Sequence, residues 1–461
     1  MSKENIVFLD YDGVVNTIIW DADGKHADYN HPKDNKVNDF QAVQWLSEFC
    51  QKYDYSIVVT SSWARKPNYK ECLINGGLRE GIEILGCVSV FDFDRPQAIR
   101  DYLAEHPEIM DEIEEVDAVL GTTSYDKIVE VIDEALQGHK SLELTDIDAL
   151  PTVDSKRLVT TGGHFAYLKI AEGCNKRCTY CIIPKIRGNF RSVPMERLIK
   201  EARDLVEQGV KEIILVAQET TLYGVDLYGK KSLHVLLKEL CKIGGLRWIR
   251  ILYCYPEEIT DELIQVMKEE DKICNYLDIP IQHASDGVLK RMGRRTSKQQ
   301  LIDTVNKLRE EIPDIALRTT LITGFPGETE EQHEELMEFV DEMEFDRLGV
   351  FTYSPEEDTP AATMLDQIEE SVKEDRQAEL MELQQEIAFD LAERMIGKEV
   401  IVMFEGKVAD ENVYVGRTYM DAPNVDGLIF IETDIELMSG DFAMVTVTGA
   451  LEYDLIGEIK E

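Results

Sequence analysis

Glu172-Gly173-Cys174-Asn-Lys-Arg-Cys178-Thr-Tyr180-Cys181 contains three cysteines at the spacing Cys-x3-Cys-x2-Cys, directly after a strand-like apolar run. Three thiolates on such a loop can bind three irons of a 4Fe-4S cubane and leave the fourth iron open for another ligand. A structural zinc site is the alternative, but zinc prefers four ligands, and no nearby Cys or His completes the set. The pattern favours Cys174, Cys178 and Cys181 as ligands of an iron–sulfur cluster.

Strand-like and helical patterns alternate steadily on both sides of this loop. The strand-like runs lie at 166–170, 213–217, 249–252, 276–279, 317–322 and 348–352. Six β/α repeats of this kind predict an α/β fold built as an open or partial barrel. A long helical pattern follows at 366–396, and short alternating segments after it predict a small β-barrel or sandwich.

The cysteine spacing, with the aromatic Tyr180 before the third cysteine, resembles that of the radical S-adenosylmethionine (SAM) enzymes. This resemblance implies a partial (β/α)6 radical-SAM barrel. It also implies that the open iron binds SAM, which is cleaved reductively to a 5′-deoxyadenosyl radical, with Tyr180 among the cofactor-binding residues. The cofactor carries the chemistry, while the protein orients it and excludes water.

Further candidate cofactor-binding residues lie at the ends of later strands. Such ends form the rim at which barrel enzymes place their sites. The residues are Gln218, Glu219, Gln282, His283, Gly324 and Gly327. Two simpler interpretations stay open at this point. Gly324-Phe-Pro-Gly327 is also typical of a plain strand-end turn, and the polar side chains could form hydrogen bonds within the protein.

Five longer motifs resemble the methylthiotransferase branch of these enzymes, from about residue 112 to the end of the chain. They are Arg187–Ser192, Ala217–Gly224, Asp278–Ser285, Leu289–Arg294 and Thr320–Thr329. The last domain resembles a small all-β TRAM barrel, the substrate-recognition domain of that branch.

Two substrates compete within this branch, an adenosine of tRNA and an aspartate of small-subunit ribosomal protein twelve. Residues 398–461 carry four Lys plus Arg and fourteen Asp plus Glu. An RNA-binding barrel should carry cations for phosphates, whereas an acidic one suits a basic ribosomal protein. The alternative is that these acidic residues only form a solvent-exposed surface without a partner. The excess of acidic over basic residues, together with the motifs, favours the ribosomal-protein type.

The resemblance to that type implies transfer of a methylthio group to the β-carbon of the substrate aspartate, with two molecules of SAM consumed. It implies an electron donor such as flavodoxin or ferredoxin. It also implies a second 4Fe-4S cluster on three N-terminal cysteines. The N-terminal cysteines Cys50, Cys72 and Cys87 are the candidates for it, and they lie outside the expected motifs.

The front of the chain resembles an incomplete haloacid-dehalogenase-like (HAD-like) phosphatase domain instead. Leu9-Asp10-Tyr-Asp12-Gly-Val14 matches the first motif of that superfamily, and Val59–Trp63 matches the second. The resemblance implies Asp10 as nucleophile, Asp12 as general acid/base and a bound Mg²⁺. A phosphohydrolase carried by this domain is therefore the alternative function.

These patterns divide the chain into five segments. They are a truncated HAD-like domain at 1–107, a methylthiotransferase remnant with a connector at 108–163, the radical-SAM barrel at 164–365, a linking helix at 366–397, and the TRAM-like barrel at 398–461.

Composition adds limits on partners and location. The net charge of -41 excludes a nucleic-acid binder built on a global positive field, so no nucleic-acid partner is expected except as part of the ribosome. The sequence contains no run of about 18 apolar residues, so no membrane span is predicted. The clustered cysteines fit a reducing compartment, and the expected location is the cytoplasm.

Overall fold

The computed structural model describes residues 5–9, 55–59, 84–87, 117–149, 159, 162–409 and 411–460. It divides into two compact units, Met1–Leu144 and Thr145–Glu461. No helix of the described part is long and apolar enough to cross a membrane.

The first unit contains two small parallel sheets. The three-stranded sheet has the order β1-β2-β3, and the two-stranded sheet pairs β4 with β5 around helix α1. These elements are β1 (Asn5–Leu9), β2 (Tyr55–Val59), β3 (Ile84–Cys87), β4 (Ala118–Leu120), α1 (Ile128–Leu136) and β5 (Ser141–Glu143). Parallel strands of this kind are typical of an α/β unit.

The second unit begins with six parallel strands of one sheet, in the order β13-β12-β11-β10-β9-β6. The strands are β6 (Phe165–Lys169), β9 (Glu212–Val216), β10 (Trp248–Ile251), β11 (Ile273–Asp278), β12 (Ala316–Thr323) and β13 (Arg347–Thr352). A short antiparallel pair, β7 (Ala171–Glu172) and β8 (Arg191–Ser192), lies between the first two. Since β6 and β13 are the edges of this described sheet, the barrel is open, and the predicted partial (β/α)6 barrel is confirmed.

Helices follow the strands along the chain, and the longer ones share one apolar core with the sheet. They are α2 (Ile183–Ile186), α3 (Met195–Glu207), α4 (Val225–Tyr228), α5 (Leu233–Cys241), α6 (Asp261–Glu269), α7 (Asp286–Arg291), α8 (Lys298–Glu311) and α9 (Glu330–Met343). Alternate strand residues such as Leu168, Leu215 and Ile251 are fully buried with the helices in one apolar core. Capping boxes begin α8, at Ser297 with Gln300, and α9, at Thr329 with Gln332.

Helix α10 (Glu370–Glu393) links the barrel to the last domain, inside the predicted helical pattern at 366–396. Five strands there form a closed barrel in the order β14-β15-β16-β18-β17. They are β14 (Glu399–Lys407), β15 (Val413–Thr418), β16 (Ile429–Glu432), β17 (Phe442–Ala450) and β18 (Leu455–Ile459). The predicted small all-β barrel is confirmed.

The small barrel packs against the inner face of the open sheet, at the end where the strands begin. Trp248 and Tyr276 of the sheet share a core with Val402 and Phe404 of β14. A buried ionic network joins the same surfaces through Glu212, which accepts from Arg250 at 2.8 Å and from Arg417 at 2.6 Å. The beginning of the sheet is thus closed by the small barrel, and the loops at the carboxyl ends of the strands remain for a site.

Candidate active site

The cysteine loop starts at Gly173, which turns the chain sharply after β7. Gly173 has a φ of 76°, and a Cβ there would lie 2.2 Å from the carbonyl oxygen of Asn189. Its amide donates to Oε1 of Gln218 at 2.8 Å. Only glycine suits this left-handed and crowded position, so Gln218, beyond the end of β9, fixes the point from which the loop departs.

All three loop cysteines are free, with Cys174 and Cys178 buried and Cys181 half-buried. Burial raises the pKa of Cys174, and burial with the neighbouring thiols raises the pKa of Cys181 to about 11. Such thiols stay protonated until a metal displaces the proton. Among the described residues no three His, Cys, Asp or Glu side chains are close enough to hold a single metal ion. A cubane does not require the three thiolates to converge on one ion, because it takes each thiolate on a different iron.

A turn after α7 packs against the cysteine loop. The amide of Thr179 donates to the carbonyl of Met292 at 2.9 Å, and its hydroxyl donates to the carbonyl of Arg291 at 2.8 Å. The next residues bring Arg294 to the site, where its guanidinium lies 4.3 Å above the ring of Tyr255. The Tyr255 hydroxyl is 3.6 Å from Sγ of Cys178.

Glu219 is fully buried beside the loop. Its carboxylate accepts from the amide of Thr221 at 3.0 Å, and its Oε2 lies 4.0 Å from Nζ of Lys176. Burial raises the pKa of Glu219 to about 7, against the opposing effects of Thr221 and Lys176. Lys176 contacts Glu257 at 3.3 Å and forms a second ion pair with Glu258.

Several buried polar atoms around the loop have no hydrogen-bond partner within the described structure. They are Oε2 of Glu219, Oε2 of Glu257, and Nε and Nη1 of Arg294. Buried polar groups in native proteins are nearly always paired, so an orphaned set in one place indicates a missing ligand. Together with three free thiols, this set fits an iron–sulfur cluster with an organic cofactor beside it.

The comparisons with known proteins agree with this site. The family model "Radical SAM superfamily" matches residues 168–340, "TRAM domain" matches 396–459, and "HAD domain in Swiss Army Knife RNA repair proteins" matches 6–119. "Ribosomal protein uS12 methylthiotransferase RimO" of Lachnoclostridium phytofermentans is 66% identical over 350 residues, which cover 76% of this chain and 80% of the relative. The protein of that name from Clostridioides difficile is 49% identical over 352 residues, 76% of this chain and 79% of the relative.

The chain belongs to the RimO family of radical-SAM methylthiotransferases. It is an enzyme of that class, and its family uses a 4Fe-4S cluster and SAM. Among solved structures, the radical-SAM methyltransferase TsrM from Kitasatospora setae is similar with a TM-score of 0.44 and 11% identity, over 88% of this chain and 68% of that chain.

The rim residues of this RimO-family chain differ in where their side chains lie. His283 is fully buried, and its Nδ1 accepts from the amides of Ala284 at 3.0 Å and Ser285 at 2.9 Å. Burial lowers the pKa of His283 to about 3, so the ring is a neutral acceptor before α7. Gln282 has a φ of 73° and is half-buried beside β12. Contact of either residue with the cofactor stays a prediction.

The two glycines of the Gly324–Gly327 loop are closely approached by side chains of this chain itself. A Cβ on Gly324 would lie 2.3 Å from Cγ of Lys373, and one on Gly327 would lie 2.2 Å from Nη2 of Arg291. In the direction of the missing Cβ, these close approaches are therefore made by Lys373 of α10 and by Arg291, the last residue of α7. Contact of the two glycines with SAM through the backbone stays a prediction.

Tyr180 is half-buried, and its ring packs edge-on against Phe325 with centroids 6.5 Å apart. Burial raises the pKa of Tyr180 well above its usual range, so the hydroxyl stays protonated. This contact joins the cysteine loop to the Gly324–Gly327 loop, which brings the ends of β6 and β12 to one site.

The sequence reasoning missed three residues of this site, Arg294, Tyr255 and Glu328. Arg294 lies in the recognised motif Leu289–Arg294, but its position there gave it no role. Glu328 is buried where its carboxylate accepts from the amide of Phe325 at 3.1 Å and from Arg376 at 3.1 Å. No pattern in the sequence marked Tyr255.

The remaining sequence predictions fall outside the described residues. Asp10 and Asp12, with the Mg²⁺ expected there, follow β1 in the part of the chain whose structure is not described. Cys50 and Cys72 lie there too, and Cys87 ends β3 with its side chain outside the description. These sites stay predictions.

Proposed function

We propose that this enzyme transfers a methylthio group to the β-carbon of an aspartate of ribosomal protein uS12. The names of the relatives, which are uS12 methylthiotransferases, support the substrate. The observation that supports this chemistry is the cysteine loop, where three free thiols lie beside buried polar atoms without hydrogen-bond partners.

In this proposal Cys174, Cys178 and Cys181 would hold a 4Fe-4S cluster, with SAM bound beside it. When bound, the cluster and SAM supply the radical that removes hydrogen from the substrate carbon. The protein's part is to hold and enclose these groups. Gln218 fixes the loop through the Gly173 amide, and Tyr180 with Phe325 forms an aromatic wall that limits access of water.

The polar atoms of this site have complementary tasks. The carboxyl of Glu219, with its pKa raised to about 7 by burial, retains a proton over much of the neutral range and can donate or accept a hydrogen bond. The Gln282 amide donates to the carbonyl of Thr320 in β12 at 2.9 Å, which places Gln282 beside the neighbouring strand. We assign Gln282 to the wall that faces SAM.

The choice of a protein over tRNA rests on the charge of the small barrel. Residues 398–461 contain four Lys plus Arg against fourteen Asp plus Glu. One of these four cations, Arg417, is 1% exposed and is bonded to Glu212 and Glu405, so it offers nothing to a phosphate. An acidic barrel attracts a basic ribosomal protein and repels a nucleic acid.

The sulfur source and the reductant complete the proposal. The family resemblance assigns sulfur donation to a second cluster, for which Cys50, Cys72 and Cys87 are the N-terminal candidates. The electron that starts the reaction comes from a one-electron donor protein such as flavodoxin or ferredoxin. If no second cluster forms, SAM is cleaved and no methylthio group is transferred.

Iron and sulfide analysis after anaerobic reconstitution tests the site. Wild type should hold about four irons per chain for one cluster or about eight for two. Cys174→Ala should lower the count by about four, whereas Cys241→Ala, a buried cysteine of α5, should leave it unchanged. A reconstituted wild-type protein without iron would refute the proposal.

Mass spectrometry of ribosomes from cells with and without the enzyme tests the substrate. A uS12 peptide whose aspartate carries a methylthio group only in the presence of the enzyme would support it. Methylthiolated tRNA with unmodified uS12 would instead establish the nucleic-acid alternative, with binding that weakens steeply as salt rises.

A phosphohydrolase is the second candidate, because the HAD family model matches residues 6–119. In this alternative Asp10 attacks phosphorus, Asp12 transfers the proton and Mg²⁺ holds the phosphate. Mg²⁺-dependent release of phosphate from a phosphomonoester, lost in Asp10→Asn, would support it. The same loss should leave the iron content unchanged, which separates the two activities.

A further inference from the structure

Arg294 is a buried cation that forms no ion pair within the described structure, although the charge of Glu257 acts on it from a greater distance. Its side chain is in the core at 7% exposure, and one of its nitrogens, Nη2, donates to the carbonyl of Pro280 at 2.9 Å. Nε and Nη1 have no partner. No carboxylate of the described residues lies within ion-pair distance of this guanidinium, although Lys176 nearby is paired with both Glu257 and Glu258.

The position of Arg294 connects this cation to the cysteine loop. Its guanidinium stacks 4.3 Å above the Tyr255 ring, whose hydroxyl is 3.6 Å from Sγ of Cys178. The turn that carries it is bonded to the loop through Thr179 and Met292 at 2.9 Å. The cation and the thiol of Cys178 therefore share Tyr255 as a neighbour, and their two segments are joined by a backbone hydrogen bond.

A guanidinium keeps its charge in any protein environment, so burial without a partner is unfavourable. Such a group persists when an anion occupies the space beside it. Three cysteine thiolates around a 4Fe-4S core of charge 2+ carry a net charge of about -1, and uptake of one electron makes it about -2. A nearby cation stabilises the second state more than the first, by Coulomb attraction in a medium of low dielectric.

We propose that Arg294 raises the reduction potential of the cluster and so promotes its reduction. In this step one electron passes from the donor protein to the cluster, whose core changes from 2+ to 1+. No covalent bond forms or breaks and no proton is transferred. The proposal rests on the proposed function, since it requires the cluster at Cys174, Cys178 and Cys181. Arg294 is a positioning residue in it, because it acts through the cluster and not on the substrate.

The test is a redox titration of the reconstituted full-length protein, followed by electron paramagnetic resonance of the reduced cluster, without SAM. Arg294→Gln removes the buried charge, and Arg294→Lys keeps it. Arg295→Gln is the matched control, because the adjacent Arg295 is exposed. Leaving SAM out separates an effect on the cluster from an effect on a SAM carboxylate.

Arg294→Gln should lower the potential, so that the ratio of reduced to oxidised cluster at a fixed potential falls at least tenfold, which is about 59 mV for one electron. Arg294→Lys should recover most of that loss, and Arg295→Gln should stay near wild type. Equal potentials for Arg294→Gln and wild type at equal iron content would overturn the proposal and leave the cluster assignment intact.

Two other outcomes are also decisive. If Arg294→Gln folds but loses iron while Arg294→Lys retains it, the charge is needed to hold the anionic cluster, which supports the electrostatic role. If both variants lose iron to the same extent, the planar guanidinium is needed for packing and the proposal is wrong. Wild-type protein without iron would overturn the proposed function and this inference together.

Discussion

Two fully buried glutamates mark the opposite ends of the same strand. Glu212 begins β9, where it accepts from Arg250 at 2.8 Å and from Arg417 at 2.6 Å. Glu219 lies just beyond the end of β9 with one oxygen unpaired and Lys176 4.0 Å away. Burial alone would raise the pKa of Glu212, but its two arginines lower it, whereas burial raises the pKa of Glu219 to about 7.

The difference separates structural charge from functional charge. At the beginning of the sheet each charge of the Glu212 network is paired, with Arg250 of β10 and with Arg417 of the small barrel, which also pairs with Glu405. At the carboxyl ends, Glu219, Glu257 and Arg294 keep polar atoms without partners. Burial is the same at both ends, so burial by itself does not identify a site. Several unpaired buried groups beside three free thiols do indicate a site, because the energy of leaving them unpaired is tolerated where a ligand will meet them.

The largest expected loss of stability comes from breaking an ion pair of the Glu212 network. Arg417→Met leaves Glu212 without one partner and removes the only arginine on Glu405 within the described ion pairs. Loss of one member of a buried ion pair costs about 3–5 kcal/mol. Urea unfolding of the metal-free protein should show that loss, while Arg394→Met, which removes an exposed pair with Glu344 at 3.0 Å, should cost less than about 1 kcal/mol. Equal losses in the two variants would contradict the comparison.

Removing the charge of Glu219, at the unpaired end of β9, should stabilise the fold instead of destabilising it. A carboxyl pKa raised in the folded state stabilises the fold at low pH, and this contribution is lost as the pH rises from 4.5 to about 7. Glu219→Gln avoids the buried charge, so the metal-free variant should be more stable than wild type by about 3 kcal/mol at pH 8. The advantage should shrink to about 1 kcal/mol at pH 5.

Urea unfolding at several pH values measures this difference. Glu212→Gln is the matched control, since the folded pKa of Glu212 is lowered and the charged form is the stable one. That variant should be less stable than wild type at pH 8. Stability curves for Glu219→Gln and wild type that run parallel between pH 5 and pH 8 would show that Glu219 is not protonated on folding.

A smaller effect is expected in the loop after β12. Gly324 has a φ of 71°, and a Cβ there would lie 2.3 Å from Cγ of Lys373. Gly324→Ala should cost about 1–2 kcal/mol from the left-handed backbone, with a further part from displacing Lys373. Gly349→Ala on β13 is the control, because nothing lies within 4 Å of its Cβ position. Thermal unfolding should therefore separate the two variants, and equal melting temperatures would remove the steric argument.

Sequence reasoning reached the fold because each strand and helix carries its own periodic pattern, and the cysteine loop because its spacing is a local signal. It could not reach the role of Arg294 or Tyr255, since their importance comes from a stacking contact between separate loops. His283 shows what a strand-end position leaves open. Its contact with the cofactor stays a prediction, and the structure adds that its Nδ1 accepts from two backbone amides while its Nε2 has no hydrogen-bond partner within the described residues.

The smallest expected effect tests whether an ion pair that is not buried contributes to the free energy of unfolding. Lys460 and Glu399 form a two-contact pair on the surface of the small barrel, at 2.6 and 2.8 Å, with both side chains about half exposed. In water the attraction is weak and is offset by the lost side-chain entropy, so Lys460→Met should change the free energy of unfolding by less than about 0.5 kcal/mol. The same urea experiment that measures Arg417→Met can measure it. A loss as large as that of Arg417→Met would mean that pair geometry outweighs burial, and the contrast between Glu212 and Glu219 would then need another cause.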